Sequence, residues 1–292
     1  MKILLIGKNG QVGAELNKLL KSFGTLIAFG RKQLDFANID SIEPLILDIR
    51  PNIIINAAAY TAVDKAEEEP ELAMTINAVA PGILAKAAKT IGAGLIHYST
   101  DYVFDGNSNT AYREESPTLP INVYGKSKLA GEKAIRELQI PYIIFRTSWV
   151  YSLYGNSFLK TIKKMAEEKD TLRIVDDQIG SPTWSRSIAL ATHKILGQCL
   201  QKNWLNEENL QTYSGVFNLT CQGNTSWHGF AKEFLSLSGI ENTKLIPIST
   251  SNYPTPAIRP LYSILCNDKV QNTFHIELPN WKKALKDCLT SV

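Results

Sequence analysis

Apolar residues fall in short runs through the first half of the chain, at 3–6, 26–29, 53–55, 95–98 (interrupted by His97) and 142–145. Between the runs the spacing turns helical. Val12, Leu16, Leu19 and Leu20 share one face after the first run, and helical patterns follow at 39–49, 71–89 and 123–138. An alternating strand has one wet face, whereas an unbroken apolar run is buried on both. The pattern predicts an α/β fold, a Rossmann-type doubly wound parallel sheet with helices on each side.

Beyond residue 150 the rhythm changes. Helical patterns remain at 158–168, 185–199, 227–237 and 279–289, but strands become sparse and loops richer in Pro, Ser and Asn. Two parts are therefore expected. Residues 1–150 form a dinucleotide-binding domain, and 151–292 a smaller loop-rich substrate lobe, some of whose segments interleave with the first. The lobe lies beside the carboxyl edge of the sheet, where open α/β folds bind ligands.

Composition narrows the partners. With 292 residues, 44% of them hydrophobic, a sizeable core is available. The formal net charge is only +3 and no long basic run occurs, so nucleic acid is not expected and a small anionic substrate is compatible. The first apolar run stops at Gly7-Lys8-Asn9, too short for a signal core or a membrane span. Cys199, Cys221, Cys266 and Cys288 are scattered and form no C-x-x-C pair, which reads as reduced thiols. A soluble, cytoplasmic protein with no membrane partner is expected.

Gly7-Lys8-Asn9-Gly10-Gln11-Val12-Gly13 lies between the first strand and the first helix. Glycines there permit a tight turn and let backbone amides approach a pyrophosphate at the positive end of the helix. The second run ends at Phe29-Gly30-Arg31-Lys32, with no carboxylate at its tip to take a ribose 2′-hydroxyl. Arg31 instead suits a 2′-phosphate. NADPH is the expected coenzyme and NADH the alternative.

Tyr124 and Lys128 stand four residues apart in the helix after the fourth strand, and so share a face. A free tyrosine titrates near pH 10; lowering that by about three units takes roughly 4 kcal/mol. A cation about 4 Å away, at an effective dielectric near 20, supplies a term of that order. Ser99-Thr100-Asp101 closes the fourth run. Either hydroxyl can hold a substrate carbonyl, and strand alternation lets only one of them face the site. His97, on the strand itself, reads as a core histidine.

These motifs, with Asn56-Ala57-Ala58-Ala59-Tyr60-Thr61-Ala62-Val63-Asp64, His97-Tyr98-Ser99-Thr100-Asp101-Tyr102-Val103-Phe104-Asp105-Gly106 and Tyr124-Gly125-Lys126-Ser127-Lys128, resemble the extended short-chain dehydrogenases. More narrowly they resemble the dTDP-4-dehydrorhamnose reductase family, a likeness that continues through Arg146-Thr147-Ser148-Trp149-Val150-Tyr151, Asp177-Gln178-Ile179-Gly180, Ser226-Trp227 and Arg259-Pro260. The resemblance implies reduction of the 4-keto group of a dTDP-sugar, with Thr100, Tyr124 and Lys128 as the catalytic trio. It implies cofactor contacts at Gly10, Gln11, Val12, Asp35, Phe36, Ala59, Tyr60 and Thr61, and substrate contacts at Thr100, Asp101 and Trp149. Lys128 would hold the nicotinamide ribose.

There are departures. Ser152 stands where the family usually has glycine, and Cys266 where an acidic residue is frequent. Some members form a homodimer bridged by Mg²⁺. Glu15 matches one bridging glutamate, but the C-terminal half supplies no counterpart for the others, so no metal site is assigned. Two rivals are weighed against the reductase reading. A dehydratase needs Asp-Glu beside its serine or threonine, whereas Thr100 is followed by Asp101-Tyr102. A regulatory subunit that binds NADP without turnover would not need Thr100, Tyr124 and Lys128 together.

Overall fold

The computed structural model describes residues 1–155, 157–205 and 213–291. Six parallel strands form its main sheet: β1 (Lys2–Ile6), β2 (Thr25–Phe29), β3 (Ile53–Asn56), β4 (Gly94–Thr100), β5 (Tyr142–Thr147) and, later in the chain, Gly215–Asn218. With Thr171–Val175 as β6 and Gly215–Asn218 as β7, the order across the sheet is β7-β5-β4-β3-β1-β2. The order reverses between β1 and β3, and the crevice at that point is where such sheets bind dinucleotides.

The unbroken apolar runs do what their pattern requires. Ile3 and Leu5 of β1 enter one core, with Ile53, Ile55, Ile96, Ile143 and Phe145. Leu4 and Ile6 enter the other, with Ile54, Leu95 and Ile144. Strands β1, β3, β4 and β5 are thus buried on both faces, while the edge strand β2 is only partly covered. Helices α1 (Gln11–Leu19) and α2 (Ile42–Ile49) follow β1 and β2.

The long helix expected over 71–89 is subdivided. After α3 (Val63–Glu68) come α4 (Pro70–Met74), a wide π-type turn at Thr75–Val79, and α5 (Ala80–Ile91). The wide turn carries the buried Asn77, whose Oδ1 accepts from the Tyr60 amide at 2.8 Å while its Nδ2 donates to the Tyr60 carbonyl at 3.0 Å. Extra width in a helix at this point places one side chain against the loop after β3. Helix α6 (Val123–Arg136) then precedes β5.

The second half contributes to both bodies. After α7 (Phe158–Glu168), helix α8 (Ser185–Gln201) packs on α1, and β7 extends the main sheet beside β5. Strand β6 pairs in parallel with β8 (Lys244–Ile248). Short pairs join Val150–Tyr151 to Thr183–Trp184 and Ile179–Gly180 to Thr225–Ser226. Helices α9 (Trp227–Leu237), α10 (Asp268–Phe274) and α11 (Trp281–Thr290) complete the lobe. Among the described residues no helix is long and apolar enough to cross a membrane, and the four cysteines are free thiols.

Candidate active site

The glycine loop turns between β1 and α1 as its spacing requires. Gly7 has φ of 88°, and a Cβ there would lie 2.6 Å from the Ala57 backbone. A Cβ on Gly13 would lie 2.0 Å from the Gly7 carbonyl, so the helix can approach the strand only without one. Helix α1 opens at Gly10 with no side-chain cap and no acidic residue in its first turn. Its first N–H groups are therefore available to an anion.

A cavity of about 430 Å³ opens beside this loop. Gly7, Gly10, Arg31, Asp35, Phe36, Ala59, Tyr60 and Thr61 line it. The expected Gln11, Val12 and Gly13 lie outside the lining: Val12 packs against the core, and the Gln11 side-chain amide reaches the Val150 carbonyl at 3.5 Å. Asn9, Gly30 and Lys65 also line the cavity and were not anticipated. The second strand has no carboxylate at its tip, yet one returns to it. Asp35 accepts from Arg31 Nε at 3.1 Å, and the Ala37 amide and then the Arg31 guanidinium hold its carboxyl below the usual range. The pocket thus offers a cation for a 2′-phosphate and a carboxylate for a 2′-hydroxyl. These donors and the bare helix start fit a dinucleotide.

At the carboxyl end of β4 the choice between the two hydroxyls resolves. Ser99 donates to Glu132 Oε1 at 2.5 Å, and Glu132 in turn takes a two-pronged bond from Arg146 at 3.0 and 2.7 Å. That buried network occupies Ser99. Thr100 instead lies against the Tyr124 phenol, donates to Asp101 Oδ1 at 3.0 Å and accepts from the Tyr102 amide at 3.2 Å. Tyr124 sits in the first turn of α6, whose cap Asn122 accepts from the Gly125 amide at 2.8 Å. Asn122 also donates to the Ile258 carbonyl at 2.8 Å, tying α6 to the C-terminal half of the chain.

Burial dominates the proton affinities. It pushes the Tyr124 phenol up to about 12, against which the Thr100 hydroxyl pulls down and the Asp101 carboxylate pushes further up. Asp101 is raised to about 6 by burial, despite hydroxyls from Ser263, Ser148 and Thr100. Lys128 is lowered to about 8 by burial, with the Glu132 charge opposing. Lys128 stands one turn from Tyr124, as the spacing requires, but its Nζ takes other partners: it donates to the Tyr98 carbonyl at 2.5 Å and meets His97 Nε2 at 3.2 Å.

Trp149 adopts φ of 47° and stacks flat on Trp227, with ring centroids 3.5 Å apart. Trp227 Nε1 donates to Gln178 Oε1 at 3.1 Å. Arg259 grips Asp64 at the start of α3 with bonds of 2.9 and 2.7 Å, joining the C-terminal half to the loop after β3. Glu15 is paired with Lys18 at 3.0 Å, and among the described residues no three His, Cys, Asp or Glu side chains converge as metal ligands would.

The family model described as the RmlD substrate binding domain matches residues 1–292. The chain is 43% identical to the dTDP-4-dehydrorhamnose reductase of Escherichia coli K12, covering 100% of this chain and 98% of that protein. It is 41% identical to the Burkholderia thailandensis protein of the same name, covering 99% and 98%. Among solved structures, the Bacillus anthracis dTDP-4-dehydrorhamnose reductase in complex with NADP is similar with a TM-score of 0.91 and 35% identity, covering 100% of this chain and 99% of that one.

Proposed function

The chain belongs to the dTDP-4-dehydrorhamnose reductase family, and from that premise we infer that it reduces the 4-keto group of dTDP-4-dehydro-L-rhamnose to give dTDP-L-rhamnose, with NADPH as reductant. The observation that carries this reading is the meeting of Thr100 and Tyr124 at the carboxyl end of β4, in the same sheet whose β1 and β3 ends open the glycine-loop cavity. We read the chain as a dinucleotide-binding body built on residues 1–150, to which α8 and β7 are lent, and a substrate lobe formed by the rest of 151–292.

When bound, NADPH supplies the hydride that goes to C4 of the sugar. The 2′-phosphate falls to Arg31, and the pyrophosphate to the first amides of α1 beside Gly7 and Gly10. Thr100 donates to the sugar carbonyl and holds it toward Tyr124. The Tyr124 phenol, kept protonated at neutral pH by its burial, gives its proton to the C4 oxygen as charge develops there. Lys128, in its ammonium form, stabilises the resulting phenolate and orients the nicotinamide ribose. Asp101 holds the Thr100 hydroxyl proton until the sugar carbonyl takes its place as acceptor, and Trp149 contributes its indole to the substrate side.

The Arg31–Asp35 pair also favours a second coenzyme, NADH, whose ribose hydroxyl Asp35 can accept. A cytoplasmic location and a homodimer with no bridging metal complete the proposal; light scattering over a concentration series tests the latter. The activity is tested by following NADPH oxidation with the enzymatically generated 4-keto sugar, and by NMR of the product. The rhamno product supports the reading. Its 4-epimer, or cofactor binding without turnover, overturns it.

A further inference from the structure

His97 lies in the core and touches Lys128. It is 1% exposed on β4, and the register of β3 with β4 places it opposite Asn56. Asn56 Oδ1 accepts from the Ala58 amide at 3.0 Å, which fixes the orientation of its side chain. Its Nδ2 must then face His97 Nδ1, at 3.0 Å, as the donor. With Nδ1 accepting, the single proton of a neutral imidazole sits on Nε2. Nε2 points at Lys128 Nζ, 3.2 Å away.

Three donors therefore run in one direction, from the Ala58 amide through Asn56 and His97 to Lys128. An ammonium at the end of that chain would meet an N–H with no lone pair to bond. A neutral amine accepts it, donates to the Tyr98 carbonyl, and keeps one N–H for the cofactor side. We propose that His97 is a positioning residue for catalysis, presenting an N–H to Lys128 that favours its amine over its ammonium in the ligand-free enzyme. The kinetic part of this proposal rests on the reductase reading above.

The surrounding charges are few. On α6 itself, Glu132 favours the ammonium but is shared with Ser99 and Arg146, and Tyr124 stands one turn before. From β4 come His97 and the Tyr98 carbonyl, and at its end Asp101, which acts on Tyr124. Burial and then the Lys128 charge hold His97 well below its ordinary value, so the ring stays neutral.

The first test needs no variant. Long-range proton–nitrogen NMR of the full ligand-free chain, with labelled histidines and the His97 signal assigned by its loss in His97→Asn, should show the Nε2–H tautomer throughout neutral pH. Protonation at Nδ1, or titration near the ordinary value, overturns the proposal. The second test is kinetic. Asparagine at this position keeps an acceptor for Asn56 but has no group to reach Lys128, so the ammonium persists to higher pH. The basic limb of the kcat/KM profile for NADPH, which reports groups of the free enzyme, should move up by about one pH unit in His97→Asn, with KM for NADPH on the low-pH plateau changed less than about twofold. Asn56→Asp, which accepts where asparagine donates, should switch the imidazole to Nδ1–H and move the limb in the same direction. A limb unmoved in both, with only a lower Tm, would show that His97 merely fills space. Absence of wild-type turnover would count against the reductase reading while leaving the tautomer measurement valid.

Discussion

The Tyr124 phenol lies against the Thr100 hydroxyl, while Lys128, one turn along the same helix face, points its nitrogen into β4. The proposed proton donor and carbonyl holder thus already meet in the ligand-free structure. The lysine is the part whose partners must change when a ribose is offered. Tyr124→Phe removes the transferable proton and little else. It should lower kcat by about 10²–10⁴-fold, the usual worth of a positioned proton transfer, with NADPH affinity nearly unchanged. Stopped-flow rates with fluorescence titration of NADPH check both; retained turnover would remove Tyr124 from the donor role.

Asp101 couples activity to stability. It is 2% exposed and its carboxyl is raised to about 6, first by burial. A group whose folded pKa lies above its unfolded one binds more protons in the native state between the two values. Stability should therefore fall as pH rises from about 4 to about 6, and the buried charge continues to cost stability above that. Asp101→Asn removes the charge. Its Tm should exceed the wild-type Tm at pH 7.5 by an amount worth about 1–3 kcal/mol, with the advantage shrinking by pH 4.5, while kcat falls. Calorimetry at the two pH values decides it. An equal gain at both would mean that burial of the charge is not the cause.

Much of this was legible along the chain. The apolar runs named five strands of the main sheet because a strand buried on both faces has no polar alternation to blur it. Phe158–Glu168 and Trp227–Leu237 match their helical patterns end to end, since each carries an apolar stripe between polar flanks. Strands β6 and β8 were less visible. They are half-buried partners in a small pair, and Lys244–Ile248 even contains Pro247. Gly215–Asn218 is only four residues long, and nothing local says that it returns to a sheet begun two hundred residues earlier. Asn77 left a faint trace: an amide inside an alanine-rich helical pattern is a poor choice unless it bonds elsewhere. The contacts of His97 with Lys128, 31 residues apart, and of Trp149 with Trp227 exist only once the strands are in register.

Coenzyme choice follows from Arg31 and Asp35, which are paired at 3.1 Å in an exposed position. A 2′-phosphate draws Arg31 from Asp35, whereas a 2′-hydroxyl can be served by Asp35 alone. Arg31→Ala should lower kcat/KM for NADPH by about 10–100-fold, the worth of a charged hydrogen bond, and change that for NADH by less than about threefold. Asp35→Asn should widen the preference for NADPH. Parallel kinetics with the two coenzymes measure both; equal losses with each in Arg31→Ala would assign that residue to the fold instead.

Gly180 tests the aromatic wall of the substrate lobe. A Cβ there would lie 2.4 Å from the Trp149 indole, closer than real contacts allow, and its nearest atoms are a ring that cannot bend aside. Trp149 has little room to yield. Its backbone is already in the left-handed region at φ 47°, and its ring is stacked on Trp227. Gly180→Ala must therefore push the indole along the stack or break it. The cofactor cavity, at the β1–β3 switch point, has no Trp149 in its lining, so NADPH binding should persist. We expect KM for the keto sugar to rise by about tenfold or more, as a displaced aromatic contact worth roughly 0.5–1.5 kcal/mol loses its burial as well. Trp227→Ala should act in the same direction, by freeing the indole rather than displacing it. Near-ultraviolet circular dichroism, sensitive to stacked indoles, reports the displacement independently of rate. A lost dichroic signal with an unchanged KM would take Trp149 out of the substrate site.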